Sequence, residues 1–431
     1  MEEMKRIQLM PGVYLTCGQT QKFKCSHWYA GLALPLTHQN ASLNALLPRV
    51  LRQGTADNPD SQSIARCLEE LYGGSIEPSV IKRGETQWVG FRASFLDDAL
   101  AGADCAMLDR SARLLGDLLL RPATRNGRLR GDYVDLEKQH LIEDIQRSVN
   151  DKAYYAMQRA IEKMCAGEAY RVSRYGTLAE AKRLSVARLT QHYHQILSSA
   201  TVELYYSGSA APERVERAWR EALRDLPRVK SITECHTDWL VQPGKLRRFA
   251  ETMDVQQARL VMGFRTLCTL NNPSYPALVV ANALLGGGAA SRLFATVREQ
   301  RSLCYAIHST VDKYKGILLI HAGVAGDKLE QTEEEILHQL LLLQQGEFTD
   351  EELRSTVQYT ASQQRRLGDS QLMRSEYWLG QTMAELHMTP EELAKHLENV
   401  TREQVIQALK RLAIDSVYTL RPENIEEVSQ A

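Results

Sequence analysis

One local order of elements occurs twice in this 431-residue chain, once in each half. Residues 26–36 read as a strand, pass through a polar turn, and enter an apolar helix around residues 43–51. Residues 258–265 (ARLVMGFR) read as a second such strand, followed by Asn271-Asn272-Pro273 and a helix over residues 275–285. Each half continues with a strand-like segment, QWVGFRASF at 87–95 and KGILLIHAGV at 315–324. Amphipathic helices follow, at 108–120 and 134–147 in the first half, and at 328–344 and 349–366 in the second. Each half then returns to a short strand, 201–206 and 415–420. A chain written this way predicts an α+β fold of two homologous domains, each a mainly antiparallel sheet with helices packed on one face.

The division falls where Leu226-Pro227 ends a charged helix and Gln242-Pro243-Gly244 precedes the next strand. We therefore expect an N-terminal domain over residues 1–228, a linker over 229–245 and a C-terminal domain over 246–431. With 44% hydrophobic and 24% charged residues, the composition is that of an ordinary globular protein. A formal net charge of −1 gives no electrostatic reason to expect nucleic acid or an anionic membrane as partner. The eight cysteines are scattered without a C-x-x-C pair, which fits reduced thiols rather than a zinc ribbon or redox dithiol. The first residues, MEEMKRIQLMPGVYL, lack the apolar core of a signal peptide, and no run reaches the ~18 apolar residues of a membrane span. The expected location is cytoplasmic.

The most specific residues lie in the second half. Gln256 to Arg265 (QQARLVMGFR) leads to Leu284-Leu285-Gly286-Gly287-Gly288, then Ser291-Arg292-Leu293-Phe294, and closes on VREQRSLCY, Val297 to Tyr305. The glycines fit neither G-x-G-x-x-G nor G-x-x-x-x-G-K-[ST], so a nucleotide loop is not indicated. The whole stretch closely resembles the C-terminal domain of insulinase- and pitrilysin-type metallopeptidases of the mitochondrial-processing-peptidase size. That resemblance implies that Arg298 and Tyr305 hold a substrate carbonyl at a zinc site. A cation and a phenol are donors suited to charge developing on a carbonyl oxygen. It also implies that Gly286, Gly287 and Gly288 form a loop touching peptide.

In the first half the resemblance is to a motif whose chemistry is gone. Residues 42–55, SLNALLPRVLRQGT, occupy the place of the inverted motif H-x-x-E-H. Aligned on the Leu-x-x-Gly-Thr tail, the two histidines fall at Ala45 and Arg49 and the glutamate at Pro48. Positions four apart share a helix face, so two imidazoles there would bind one ion, and the glutamate would take a proton from metal-bound water. Ala45 has no lone pair, Arg49 is a permanent cation, and Pro48 lacks an N–H and is expected to disturb the helix. No H-E-x-x-H occurs elsewhere, and His192 with His194 lacks a carboxylate at metal-site spacing. Further on, Glu137 matches the first of the family's two helical glutamates, while Asp144, beside Glu143, falls at the third-ligand position. Asn150-Asp151-Lys152 with Tyr154 and Tyr155 resembles the non-catalytic member of bacterial two-gene pairs.

The likeness covers roughly residues 10–425. It implies a non-catalytic subunit of a heterodimeric zinc peptidase, which binds extended peptide and presents Arg298 and Tyr305 to a partner's zinc. No cofactor is expected on this chain; zinc is expected in a paralogous partner subunit. In isolation the chain is open to homodimer formation. Two other readings stand beside this one: a structural scaffold subunit without a role in proteolysis, and an active homodimer with a relocated metal site.

Overall fold

The computed structural model describes residues 4–102 and 105–423. They form two compact units. The first contains a six-stranded sheet in the order β1-β2-β8-β3-β5-β4. Its strands are β1 (Lys5–Met10), β2 (Val13–Gln19), β3 (Cys25–Pro35), β4 (Ser75–Arg83), β5 (Thr86–Leu96) and β8 (Thr201–Gly208). A two-residue ladder joins β6 (Thr124–Arg125) to β7 (Arg128–Leu129). All neighbours in the large sheet are antiparallel except β2 and β8.

The helices of this unit are α1 (Ala41–Leu51), α2 (Ser61–Glu70), α3 (Met107–Leu120), the start of α4 (Gly131–Asn150), α6 (Leu178–Lys182), α7 (Val186–Ser199) and α8 (Pro212–Ala222). One face of the sheet supplies Trp28, Phe91, Phe95 and Tyr206 to a continuous core with Leu46 and Val50 of α1, Leu115 of α3 and Trp219 of α8. Trp28 packs edge-on against Tyr206, Phe95 and Trp219. Such alternation of one buried apolar face is what a period-two strand imposes.

The second unit repeats the plan. Its sheet runs β11-β12-β10-β13-β9, with β9 (Arg247–Met253), β10 (Ala258–Arg265), β11 (Cys304–Asp312), β12 (Ile317–Val324) and β13 (Ala413–Pro422). Here too a single neighbour pair, β13 with β9, is parallel. Matching β4-β5-β3-β8-β2 to β11-β12-β10-β13-β9 gives the same order and the same position for the parallel pair. The two-fold repeat expected from the pattern of elements is therefore present in topology.

Helices α9 (Tyr275–Leu285), α10 (Leu329–Gln345), α11 (Asp350–Arg366), α13 (Pro390–Glu398) and α14 (Arg402–Lys410) belong to this second unit. Thr349, Thr389 and Thr401 begin α11, α13 and α14 with reciprocal capping boxes, satisfying N-terminal N–H groups that would otherwise lack partners.

The units are not the contiguous halves expected at 228 and 246. Residues Arg147–Arg171 count with the second unit, and Ser370–Gly380 with the first. The first displacement follows from helix α5 (Lys152–Met164), whose Ala156, Ala160, Ile161 and Met164 bury against Val261, Leu319, Tyr418 and Leu420. It is reinforced just beyond, where Glu168 bonds Arg265 at 2.6 Å and Lys315 at 2.6 Å. Arg265 also reaches Asp415 at 3.0 Å. The second displacement follows from helix α12 (Gln371–Met383). Its Glu376 pairs with Arg83 at 2.5 Å and with Arg92, and its Ser375 lies 3.1 Å from His27. Each sheet thus has a helix from the other half of the sequence on the face opposite its main helical layer.

Candidate functional site

Helix α1 is anchored by a polar network whose direction can be deduced. Gln87 Nε2 donates to the carbonyls of Ala41 (3.1 Å) and Arg174 (2.6 Å), so its Oε1 must accept from Asn44 Nδ2 at 2.9 Å. Asn44 Oδ1 then faces His192 Nε2 at 2.5 Å, which fixes that nitrogen as the donor. Burial, then the nearby Arg188, lowers the His192 pKa to about 4, so the ring is neutral at ordinary pH. This residue is a structural histidine under α1, not a metal ligand.

On that helix Ala45 and Pro48 are buried in the core, and the helix runs without a break through Pro48. The expected break is absent: Pro48 forfeits its own N–H bond to the preceding turn, but Arg52 N–H closes the following turn on Pro48 O at 3.1 Å. Arg49, at the second histidine position, donates from Nη2 to Asp144 Oδ2 on α4 at 2.6 Å. Gln53 Nε2 reaches Glu137 Oε1 at 2.6 Å, and His140 lies 3.3 Å from the other oxygen of Glu137. Glu143 instead accepts from Gln139 at 3.0 Å.

The residues at the zinc-motif positions do not fit the metal. Ala45 offers no donor atom, and the Arg49 guanidinium already neutralises Asp144, the one carboxylate at a ligand position. A divalent ion would be repelled by Arg49 and would need ligands that the α1–α4 pair lacks. Among the described residues no group of three or more His, Cys, Asp or Glu side chains is arranged to hold a metal ion. No step of metal chemistry is derived for this site.

The second unit, by contrast, brings together the two residues singled out there. Arg298 and Tyr305 line one open depression of about 420 Å³ with Glu299, Ser302, Lys328 and neighbours. Two irregularities aim them. Residues Phe294–Gln300 form a π-helical turn, closed by Arg301 N–H on Thr296 O at 2.9 Å. In β11 the register slips between Cys304 and Ala306, which both fall against consecutive residues of β12, so Tyr305 is an extra, bulged residue. π-turns and β-bulges both redirect side chains and recur at functional sites. Tyr305 is 61% exposed, large for an aromatic residue on a strand. The Arg298 guanidinium lies 4.6 Å from the Phe294 ring centre and 3.4 Å from Glu299. Sequence reasoning found both residues but neither irregularity. The one residue between Cys304 and Ala306 carries no signature of a bulge.

The triple glycine divides by role. A Cβ on Gly286 would lie 2.8 Å from Ser309 Oγ, and one on Gly287 would lie 2.9 Å from Ala283 Cα. Gly288 is open, with only the Tyr359 ring beyond 3.6 Å. Gly286 O also accepts from Ser309 N–H on β11 at 2.9 Å. Gly286 is therefore required by its close approach to Ser309 of β11, and Gly287 by its close approach to Asn282 and Ala283 in the last turns of α9.

This geometry has counterparts among known proteins: the chain is similar to homologues of the M16 peptidases, several of which are described as inactive. Residues 183–359 match the family model "Peptidase M16 inactive domain". The "probable inactive metalloprotease YmfF" of Bacillus subtilis is 29% identical over 404 residues, 94% of each chain. Among solved structures, a conserved protein of Enterococcus faecalis superposes with a TM-score of 0.90 at 22% identity, over 98% of this chain and 99% of that one. The peptidase M16 inactive domain from Pseudomonas fluorescens gives 0.81 at 15% identity, over 98% of each. At these identities the solved structures establish the fold. No helix among the described residues is long and apolar enough to cross a membrane.

Proposed function

We propose that this chain is the non-catalytic subunit of a two-chain zinc peptidase, binding extended peptide and supplying Arg298 and Tyr305 to a zinc site on a paralogous partner. The observation that carries the reading is a contrast within the chain. At the zinc-motif positions the ligands are replaced by an alanine and an internal ion pair. The Arg298–Tyr305 depression is intact, with the phenol held outward by a bulge. A scaffold has no use for an exposed phenol and guanidinium aimed into one depression. A carbonyl clamp needs that arrangement, since two donors converging on one oxygen stabilise its developing charge. Peptide in such a site is gripped by adding a strand to a sheet edge, so extension counts for more than sequence. We place the protein in a reducing compartment, the cytoplasm, on the scatter of its eight cysteines, which include no C-x-x-C pair. Cys17, Cys235, Cys268 and Cys304 are thiols whose pKa burial raises, to about 12 for Cys17 and about 11 for the others.

The test is to measure zinc content and peptide cleavage for the chain alone and after mixing with a zinc-bearing paralogue from the same genome. We expect no stoichiometric zinc and no cleavage alone, with cleavage appearing on mixing. Arg298→Ala combined with Tyr305→Phe should then lower cleavage by the mixture by about 100-fold, the usual scale for losing donors to a developing oxyanion. An unchanged rate would leave the scaffold reading.

A further inference from the structure

The turn that joins Arg298 to Tyr305 is an unfavourable piece of backbone with its own support. Ser302 sits at φ +50°, in the left-handed region that costs a non-glycine residue about 1 kcal/mol or more. Three side chains of one element hold the turn. Lys328 Nζ donates to Ser302 O at 3.2 Å. Thr332 Oγ1, fully buried, lies 3.4 Å from Leu303 O and 2.7 Å from Lys328 O. Glu335 pairs with Arg301 at 3.2 Å. All three lie at or just inside the N-terminus of α10, and Lys328 also lines the depression shared by Arg298 and Tyr305.

Lys328 does nothing comparable for its own helix. It ends a 3₁₀ turn, Gly326–Lys328, that runs directly into α10, and its side chain makes no capping hydrogen bond. A side chain that leaves its helix uncapped, yet ties down the backbone between two exposed polar groups, is explained by the turn and not by the helix.

We propose that Lys328 is a positioning residue for the Arg298–Tyr305 pair, acting through the Ser302 carbonyl. The inference rests on the reading of that pair as a peptide-binding clamp. With the ammonium removed, the left-handed turn loses its restraint, and the guanidinium and phenol no longer converge on one point.

The two roles make different predictions for Lys328→Asn. The Lys328 side chain is only half-buried and makes no helix cap, so the melting temperature should be nearly unchanged. Binding of a fluorescein-labelled, unstructured peptide of about 20 residues to the full chain, followed by anisotropy, should weaken about 5- to 10-fold. Lys328→Arg should restore most of the affinity. Adding Lys328→Asn to Arg298→Ala with Tyr305→Phe should weaken binding no further, because Lys328 acts only through that pair. Wild-type affinity in Lys328→Asn, or a further loss in the triple variant, would overturn the positioning role while leaving the clamp. If Arg298→Ala itself binds like the wild type, or the wild type binds no peptide, the clamp reading fails and this inference fails with it.

Discussion

Arg49 Nη2 and Asp144 Oδ2 lie 2.6 Å apart, joining two positions that the sequence resemblance aligns with metal ligands. The guanidinium neutralises the carboxylate and can donate hydrogen bonds, but it offers no lone pair to a metal. The ion pair ties α1 to α4.

Removing one partner should therefore cost more than removing both. Arg49→Met is expected to lower stability by about 1 kcal/mol by taking from Asp144 its guanidinium partner, while Arg49→Met with Asp144→Leu recovers most of that loss. Urea denaturation of both variants checks it. Equal losses would show that the pair contributes nothing.

A larger loss is expected from the buried charges of the second unit. Lys315 and Arg265 are fully buried and both reach Glu168. Burial tends to raise the Glu168 pKa, but hydrogen bonds from Arg265 and then Lys315 outweigh it and hold the carboxyl below its usual value. Glu168→Gln removes a carboxylate shared by two buried cations, with Arg265 keeping Asp415, and should cost roughly 3 kcal/mol, read as a lowered urea midpoint. Glu168→Asp should recover only part.

Two buried histidines give the fold a pH dependence of definite sign. Burial, then Arg92, lowers His27 to about 4, and burial, then Arg188, does the same for His192. Between their ordinary value of 6.5 and about 4 the unfolded chain binds more protons than the folded one. Stability therefore rises with pH across that window. Each histidine should contribute on the order of 2 kcal/mol to the difference between pH 5 and pH 7, seen in denaturation midpoints. His192→Gln, which can still donate to Asn44, should flatten the profile.

The glycines separate packing from binding. Gly286→Ala forces a methyl group against Ser309 and should destabilise by about 1–3 kcal/mol. Gly288→Ala meets open space and should change stability by less than ~0.5 kcal/mol. A loss of peptide binding in Gly288→Ala at unchanged melting temperature would assign that glycine to the peptide. Unchanged binding would leave the loop a packing feature.

Most elements were legible because their periodicity and caps are local. Helices expected at 108–120, 134–147 and 349–366 appear as Met107–Leu120, Gly131–Asn150 and Asp350–Arg366. The assignment of residues 147–171 and 370–380 was not legible, since nothing in an amphipathic helix says which sheet its apolar face will meet. Helix α5 would suit either sheet by pattern; it is Val261, Tyr418 and Leu420 that receive it. The continuity of the helix through Pro48 was likewise hidden, because it depends on the tertiary packing that buries this helix and not on the local sequence.

By itself, the sequence determined the two-fold order of elements, the lack of metal-ligating side chains at Ala45, Pro48 and Arg49, and the candidacy of Arg298 and Tyr305. These follow from residue identity and short-range spacing. Only the tertiary structure decided that Arg49 finds Asp144, that a π-turn and a bulge bring Arg298 and Tyr305 to one depression, and that Lys328 secures the turn between them. Those relationships join groups far apart along the chain, or rest on a single backbone slip. Their geometry is set by packing across a sheet, which no local pattern encodes.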